Sequence, residues 1–148
     1  MTDIIVRRAL AEDQESVRAL LVTLGYAGLA DDPAFDAVFS TVLADRSRGL
    51  WLAERGGAVL GLVTTTVQPQ LRLAGLQLTI EELVVAEAAR GAGVGRALVA
   101  HAQEEARRLG ARRVELTTNR TRPVYLRGFY PSCGFTEASS AVMRWIPR

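Results

Sequence analysis

The stretch LTIEELVVAEAARGAGVGRALVAHAQEEARRL, residues 78–109, decides the fold of this chain. It begins with aliphatic and β-branched residues that favour a strand, and it ends with apolar residues at helical spacing. Between them lies RGAGVGR, residues 90–96, whose glycines leave backbone N–H groups free to face a ligand. A loop that opens into a helix N-terminus binds anions through these amides and the helix dipole. The stretch therefore predicts a site for a phosphate-bearing cofactor.

The residues before this stretch predict alternating helices and strands. Capping residues, apolar periodicity and glycines mark where each element begins and ends. The predicted elements are a strand at residues 4–8, a helix from about Glu12 or Asp13 to Gly25, a helix beginning at Pro33, and a β-hairpin turning at Gly56-Gly57.

The residues after the loop complete a strand-helix-strand unit. The helix is expected to end at Gly110 and to be followed by a strand at residues 113–118, parallel to the strand before the loop. A short helix is expected within residues 122–133, and one or two closing strands within residues 135–145. The chain has no repeat or linker, so the sequence predicts a single domain spanning residues 1–148.

Composition limits the classes of function. The chain has 148 residues, a single cysteine (Cys133) and a single histidine (His101), so an internal disulfide and a Cys/His metal cluster are excluded. No metal site is expected. We see no secretion signal and no apolar run of membrane-spanning length, so we expect a cytoplasmic protein that does not bind a membrane.

Charge is unevenly distributed along the chain. Residues 1–86 carry seven arginines and eleven acidic residues, whereas residues 87–148 carry eleven arginines and five acidic residues. The net charge of +2 is too small to indicate nucleic-acid binding. A basic half around the glycine loop suits a polyanionic cofactor, although a solvated basic surface explains it about as well.

Two common phosphate loops do not match residues 90–96. A P-loop requires lysine and then serine or threonine after its last glycine, where this chain has Arg96 and Ala97. A dinucleotide fingerprint counted from Gly91 or from Gly93 reaches no third glycine. A purely structural alternative is that the glycines only allow the strand to turn into the helix.

The pattern Arg90-x-x-Gly93-x-Gly95 resembles the cofactor motif of the GNAT superfamily of N-acetyltransferases. A second family segment is present as Phe129-Tyr130-Pro131-Ser132-Cys133-Gly134-Phe135. The resemblance extends over essentially the whole chain. It implies an α/β fold with a mixed, mainly antiparallel sheet, a parallel strand-helix-strand unit at its centre, and helices on both faces.

The resemblance also implies acetyl-CoA as cosubstrate. The pyrophosphate is expected on the loop amides, and the strand before the loop is expected to hold the pantetheine arm and to present an amide to the thioester carbonyl. The cofactor-binding residues that it implies are Leu83, Val84, Val85, Arg90, Gly91, Ala92, Gly93, Val94, Gly95, Arg96 and Asn119.

Two adjacent carboxylates, Glu81 and Glu82, are the candidates for the base that deprotonates an amine. Neighbouring residues of a regular strand point to opposite faces, so one of them at most is the base. The resemblance favours Glu81, nine residues before Arg90, with Thr79 on the same face. Glu82 remains the alternative because a bulge would change the alternation.

The resemblance assigns Tyr130 as the acid that protonates the CoA thiolate, and Tyr125 is an alternative donor. Four aspartates, Asp31, Asp32, Asp36 and Asp45, either attract a cationic acceptor or serve as helix caps and solvated charges, which we favour.

The predicted function is transfer of an acetyl group from acetyl-CoA to a primary amine of a small molecule or peptide, directly within a ternary complex. The alternatives are an inactive acyl-CoA-binding sensor or structural module, and a nucleotide-binding regulator. A homodimer is implied only by the family resemblance.

Overall fold

A five-stranded sheet organises the structure, a computed structural model that describes residues 3–148. The strand order is β1-β2-β3-β4-β5. Neighbouring strands are antiparallel except β4 and β5, which are parallel. The strands are β1 (Ile5–Arg8), β2 (Arg48–Arg55), β3 (Ala58–Gln70), β4 (Gly75–Val85) and β5 (Arg113–Leu116).

Within residues 3–148, five α-helices accompany the sheet, and short 3-10 turns occur beside some of them. The helices are α1 (Gln14–Thr23), α2 (Ala34–Ala44), α3 (Val94–Leu109), α4 (Pro123–Leu126) and α5 (Phe129–Ser132). The chain divides into two compact units, of which the first ends at Leu116 and the second is Thr117–Arg148. Within residues 3–148, no helix combines the length and the apolarity needed to cross a membrane.

One face of the sheet is covered by α1 and α2. Their apolar residues pack against alternate residues of β2, β3 and β4, as the period of two along a strand requires. The buried cluster consists of Ala9, Val17, Leu20, Phe35, Phe39, Leu50, Leu52, Leu62 and Val84. Burial of this cluster supplies the main favourable free energy for this face.

The opposite face is covered by α3, and its approach depends on Gly61. A Cβ at Gly61 would lie 2.6 Å from the Val84 carbonyl oxygen and 3.2 Å or less from side-chain atoms of Val94 and Leu98. Val94 and Leu98 are themselves fully buried. The missing side chain therefore lets the first turns of α3 pack directly on the sheet, which fixes the loop that precedes the helix.

Most of the predicted elements are confirmed, including the mixed, mainly antiparallel α/β fold class, but the parallel pair β4–β5 includes the edge strand of the sheet and does not lie at its centre. The hairpin turns at Gly56 and Gly57, whose φ values of +57° and +82° suit the tight turns that join antiparallel strands. The expected short helix within residues 122–133 is instead two helices, because Gly128 adopts φ +71° between them.

The expected closing strands within residues 135–145 are wrong. No strand is assigned after Leu116 in the part of the chain that the structure describes, so β5 is the last strand of the sheet. Strand preference depends on a partner strand and a covered face, and sequence alone supplies neither. Apolar side chains of this segment remain exposed, namely Val142, Met143, Trp145 and Ile146.

Gly61→Ala should destabilise the first unit. The added methyl group meets the Val84 carbonyl oxygen, and relief requires α3 or β4 to shift, which we expect to cost about 1–3 kcal/mol of unfolding free energy. Urea unfolding followed by circular dichroism measures this loss. Gly28→Ala is the matched control, because its Cβ meets nothing within 4 Å. Equal stability of the two variants would contradict the close approach.

Candidate functional site

A bulge in β4 places the two candidate carboxylates. Thr64 of β3 pairs with Glu82 and Thr65 pairs with Ile80, so Glu81 is an extra residue without a partner on β3. The alternation of faces along β4 is broken at this point. The expectation that Glu81 and Thr79 share a face is therefore wrong. Glu82 shares the face of Thr79, because their partners Thr64 and Thr66 are two residues apart on β3.

Glu82 is the more enclosed of the two carboxylates. Its side chain is partly buried, whereas Glu81 is exposed. The Thr64 hydroxyl donates a hydrogen bond to Glu82 Oε2 and accepts one, at 2.9 Å, from the Glu82 backbone N–H. Thr64 thus fixes both the backbone and the carboxylate of Glu82.

Burial raises the pKa of the Glu82 carboxyl group above its ordinary value of 4.5. The negative charge of Glu81 raises this pKa further, and the positive charge of Arg48 acts in the opposite direction. A carboxylate with a raised pKa is a stronger base than an ordinary glutamate. Such tuning is found at sites of general acid–base chemistry, although structural carboxylates show it as well.

The edge of β4 beyond the bulge is open on the side of β5. Pairing with β5 stops at Ile80, whereas pairing with β3 continues to Val85. The amides of Glu82 and Ala86 point toward β3, where they donate to Thr64 Oγ1 and to the Leu60 carbonyl oxygen. Because direction alternates along a strand, the amides of Leu83 and Val85 point to the open edge.

Of the three residues expected along the pantetheine arm, two present their backbone to the open edge and one does not. Leu83 and Val85 present backbone donors and acceptors to the open edge. Val84 directs its backbone to β3, and its side chain is buried in the core on the α1 and α2 face. The open edge offers the hydrogen bonds that an extended ligand needs to add as a strand.

The glycine loop adopts backbone conformations that require glycine. Gly91 and Gly93 have φ values of +79° and +84°, which L-residues with side chains rarely adopt. A Cβ at either position would meet nothing within 4 Å, so the surface above them is open. Gly93 is also the N-cap of α3 and offers no side-chain acceptor to the first helical amides.

The loop therefore has the features of an anion site. Its open surface, first-turn amides that have no acceptor four residues earlier in the helix, and the positive end of a 16-residue helix coincide. Arg90 and Arg96 flank it with exposed side chains. Ala92 and Gly91 are exposed, whereas Val94 is buried against the sheet and anchors the loop.

Tyr130 lies in the second unit, on α5. Its ring makes edge contacts with Phe129 and Phe135, with centroids 5.2 and 6.3 Å away. Burial raises the pKa of the Tyr130 phenol, and a side-chain hydrogen bond with Thr118 acts in the opposite direction. The phenol therefore holds its proton at neutral pH. Gly134 follows this helix with φ +93°, a backbone conformation that favours glycine. The glycine of the family segment therefore has a structural role here, at the end of the helix.

Tyr125 and Asn119 already have partners within the second unit. The Tyr125 hydroxyl donates to Glu137 Oε2 at 2.5 Å, so it is less suited than Tyr130 to serve as an acid. Asn119 Oδ1 accepts from the backbone and the hydroxyl of Thr121, at 2.8 and 2.7 Å. These bonds give Asn119 a turn-forming role and leave its amide nitrogen for any cofactor contact.

Three of the four aspartates have structural partners. Asp32 caps α2 by accepting from the Ala34 amide at 2.9 Å, Asp36 pairs with Arg18 at 2.5 Å, and Asp45 accepts from the Ser47 amide at 2.8 Å. Helix capping and ion pairing therefore explain them. Thr64 and Arg48 carry no local sequence signal for the site, because their link to Glu82 depends on strand register.

The stability of the protein should depend on pH through Glu82. Because its pKa is raised in the folded state, the Glu82 carboxyl group contributes most to stability at pH values below its pKa in the unfolded chain. This contribution to stability is lost as the pH rises through the pKa of the folded state. Glu82→Gln should therefore gain stability relative to the unmodified protein as pH rises from about 4 to 8, by about 1.4 kcal/mol for each unit of pKa difference.

Urea unfolding at several pH values measures this gain. Glu81→Gln should reduce the pH dependence without removing it, because burial is the larger cause of the raised pKa. Glu104→Gln, which removes an exposed carboxylate of α3, is the control. A Glu82→Gln curve parallel to that of the unmodified protein would show that the Glu82 pKa is not raised.

The chain is similar to known acetyltransferases. The model of the acetyltransferase (GNAT) family matches residues 15–135. The chain is 40% identical over 114 residues to the aminoalkylphosphonate N-acetyltransferase of Salmonella typhimurium strain LT2, covering 77% of this chain and 73% of that protein.

Two solved structures are similar over nearly the whole chain. A putative acetyltransferase from Agrobacterium tumefaciens C58 has a TM-score of 0.83 and 30% identity, covering 96% of this chain and 99% of that one. A transcriptional regulator from Bacillus halodurans C-125 has a TM-score of 0.84 and 26% identity, covering 97% and 100%. The chain therefore belongs to the GNAT acetyltransferase family.

Proposed function

We propose that the chain transfers an acetyl group from acetyl-CoA directly to a primary amine, with Glu82 as the base. The observation that carries this proposal is the position of Glu82. Its partly buried carboxylate stands at the bulge where β4 leaves β5, one residue before the outward-facing amide of Leu83. Acylation of an amine is promoted by a base and by a donor to the developing oxyanion, and these two adjacent residues offer both groups.

The first unit offers features that fit acetyl-CoA. The open surface above Gly91 and Gly93 suits a pyrophosphate, and the open edge at Leu83 and Val85 suits the amides of a pantetheine arm. When bound, acetyl-CoA supplies the acetyl thioester that the amine attacks. We assign residues 90–96 to the pyrophosphate and the backbone of Leu83 and Val85 to the arm.

Four roles follow for the residues of this chain. Glu82 removes a proton from the ammonium form of the acceptor, and Thr64 keeps its carboxylate in place. The Leu83 amide is the donor assigned to the thioester oxygen as negative charge develops there. Tyr130, whose phenol stays protonated at neutral pH, is the donor assigned to the departing thiolate.

The acceptor that we propose is a small primary amine with an anionic group, of the aminoalkylphosphonate class. The 40% identical relative is named for that class. Arg48 supports this choice, because its positive charge acts on the Glu82 carboxylate and so lies near enough to attract an anionic group.

CoA release with a panel of amines tests the proposal, and Glu82→Gln tests the base. Aminoalkylphosphonates should give a higher kcat/KM than polyamines, aminoglycosides or peptides. Glu82→Gln should lower kcat by about 10²-fold or more, as expected for a lost general base. Glu81→Gln should retain the rate while shifting the acidic limb of the pH–rate profile downward, because removing its charge lowers the Glu82 pKa.

Three outcomes would count against this proposal. Full activity of Glu82→Gln would remove Glu82 from the mechanism. Loss of activity in Glu81→Gln alone would make Glu81 the base. Saturable binding of acetyl-CoA, with no release of CoA in the presence of any amine of the panel, would favour the sensor alternative.

Tyr130→Phe tests the proposed acid. Loss of the phenolic proton should lower kcat by at least about tenfold while the Kd for acetyl-CoA stays unchanged, because the ring and its packing remain. Tyr125→Phe is the matched control and should keep its turnover. Unchanged kcat for Tyr130→Phe would exclude this role.

A further inference from the structure

A small cleft lies at the end of α3 remote from the glycine loop. It encloses about 80 Å³, and its lining includes Arg8, Arg46 and Arg108 but only one acidic residue, Glu105. Since α3 rises about 1.5 Å per residue, roughly 20 Å of helix separates this cleft from the loop. The cleft is therefore distinct from the proposed pyrophosphate site.

The floor of the cleft contains one enclosed hydrogen-bond donor, Trp51 Nε1, that has no partner among the described residues. Gly49 has no side chain, and a Cβ built there would overlap Trp51 Nε1 and Thr65 Oγ1. Both groups line the cleft and point to the space above Gly49. Trp51 Nε1 is enclosed and has no hydrogen-bond partner among the described residues, and Thr65 is only 4% exposed. An enclosed donor of this kind favours a ligand that accepts hydrogen bonds.

Two of the arginines are already held in position. The Arg8 guanidinium lies 5.1 Å from the Trp51 ring centroid, and its Nη2 donates to the Arg48 carbonyl oxygen at 2.9 Å. Arg108 donates to both oxygens of Glu105, at 3.1 and 2.8 Å. Holding these long side chains in advance reduces the entropy that a ligand must overcome.

Arg46 supplies charge that is not neutralised locally. It is exposed, and within residues 3–148 no ion pair involves it. The cleft thus combines excess positive charge with neutral donors at its floor, a combination that favours a compact oxyanion. A cation would meet the three arginines Arg8, Arg46 and Arg108, and an apolar ligand would leave the Trp51 N–H unsatisfied.

We propose that this cleft binds a small tetrahedral oxyanion, either inorganic phosphate or the phosphate group of a monoester. Gly49, Trp51 and Thr65 lie on the sheet face that α3 covers, whereas Glu82 lies on the face of Thr64 and Leu50. The proposed phosphate and an acceptor amine deprotonated by Glu82 would therefore occupy different sites, on opposite faces of the sheet. The proposal does not depend on acetyl transfer.

Titration with inorganic phosphate at constant ionic strength tests the site. The indole N–H signal of Trp51 in ¹H–¹⁵N spectra should shift saturably, and Trp145→Phe leaves Trp51 as the single indole. Arg46→Gln combined with Arg108→Gln should weaken the Kd by about tenfold or more, because two charged donors are lost. Arg72→Gln combined with Arg107→Gln removes the same charge outside the cleft and should change the Kd less than about twofold.

Two further titrations identify the ligand and test whether the cleft is separate from the acetyl-CoA site. Tighter binding of glycerol phosphate than of phosphate would indicate a monoester, and equal binding would indicate the free ion; both results support the site. Saturating acetyl-CoA should leave phosphate binding unchanged. The proposal fails if the Trp51 signal does not shift saturably, if both double variants weaken binding equally, or if acetyl-CoA displaces the phosphate.

Discussion

The central constraint in this protein is that β4 has two partner strands but cannot follow both. It pairs with β3 as far as Val85 but with β5 only through Ile80, and the bulge at Glu81 lies where the two courses diverge. Backbone groups beyond that point turn to an open edge instead of a ladder. Unpaired strand edges attract other strands, so an edge left open inside a fold is suited to an extended ligand.

The same bulge determines the electrostatics of the candidate base. It breaks the alternation of faces and brings Glu82 into a partly buried position against Thr64, while Glu81 stays in solvent. Burial then raises the Glu82 pKa, and the charge of Glu81 adds to the effect. One local irregularity thus gives two adjacent, chemically identical carboxylates different surroundings, one partly buried and the other exposed.

The two ends of α3 differ in the hydrogen-bond donors that they offer to the proposed anions. At the first end, Gly91 and Gly93 adopt positive φ values and precede helical amides that have no acceptor within the helix, so the donors are backbone groups. At the other end, arginine side chains and the Trp51 indole supply them. Gly61 holds the first end against the sheet and so fixes the loop.

The sequence by itself determined the order of the elements, the hairpin, the glycine loop and the family, because local periodicity, capping and glycine conformation specify them. Only the tertiary structure decided which glutamate is enclosed, since that depends on a register shift against β3. It also decided that the apolar segment around Trp145 forms no strand, because a strand needs a partner. The arginine cleft joins β1, β2 and α3, and the distances between them along the chain hide it from sequence patterns.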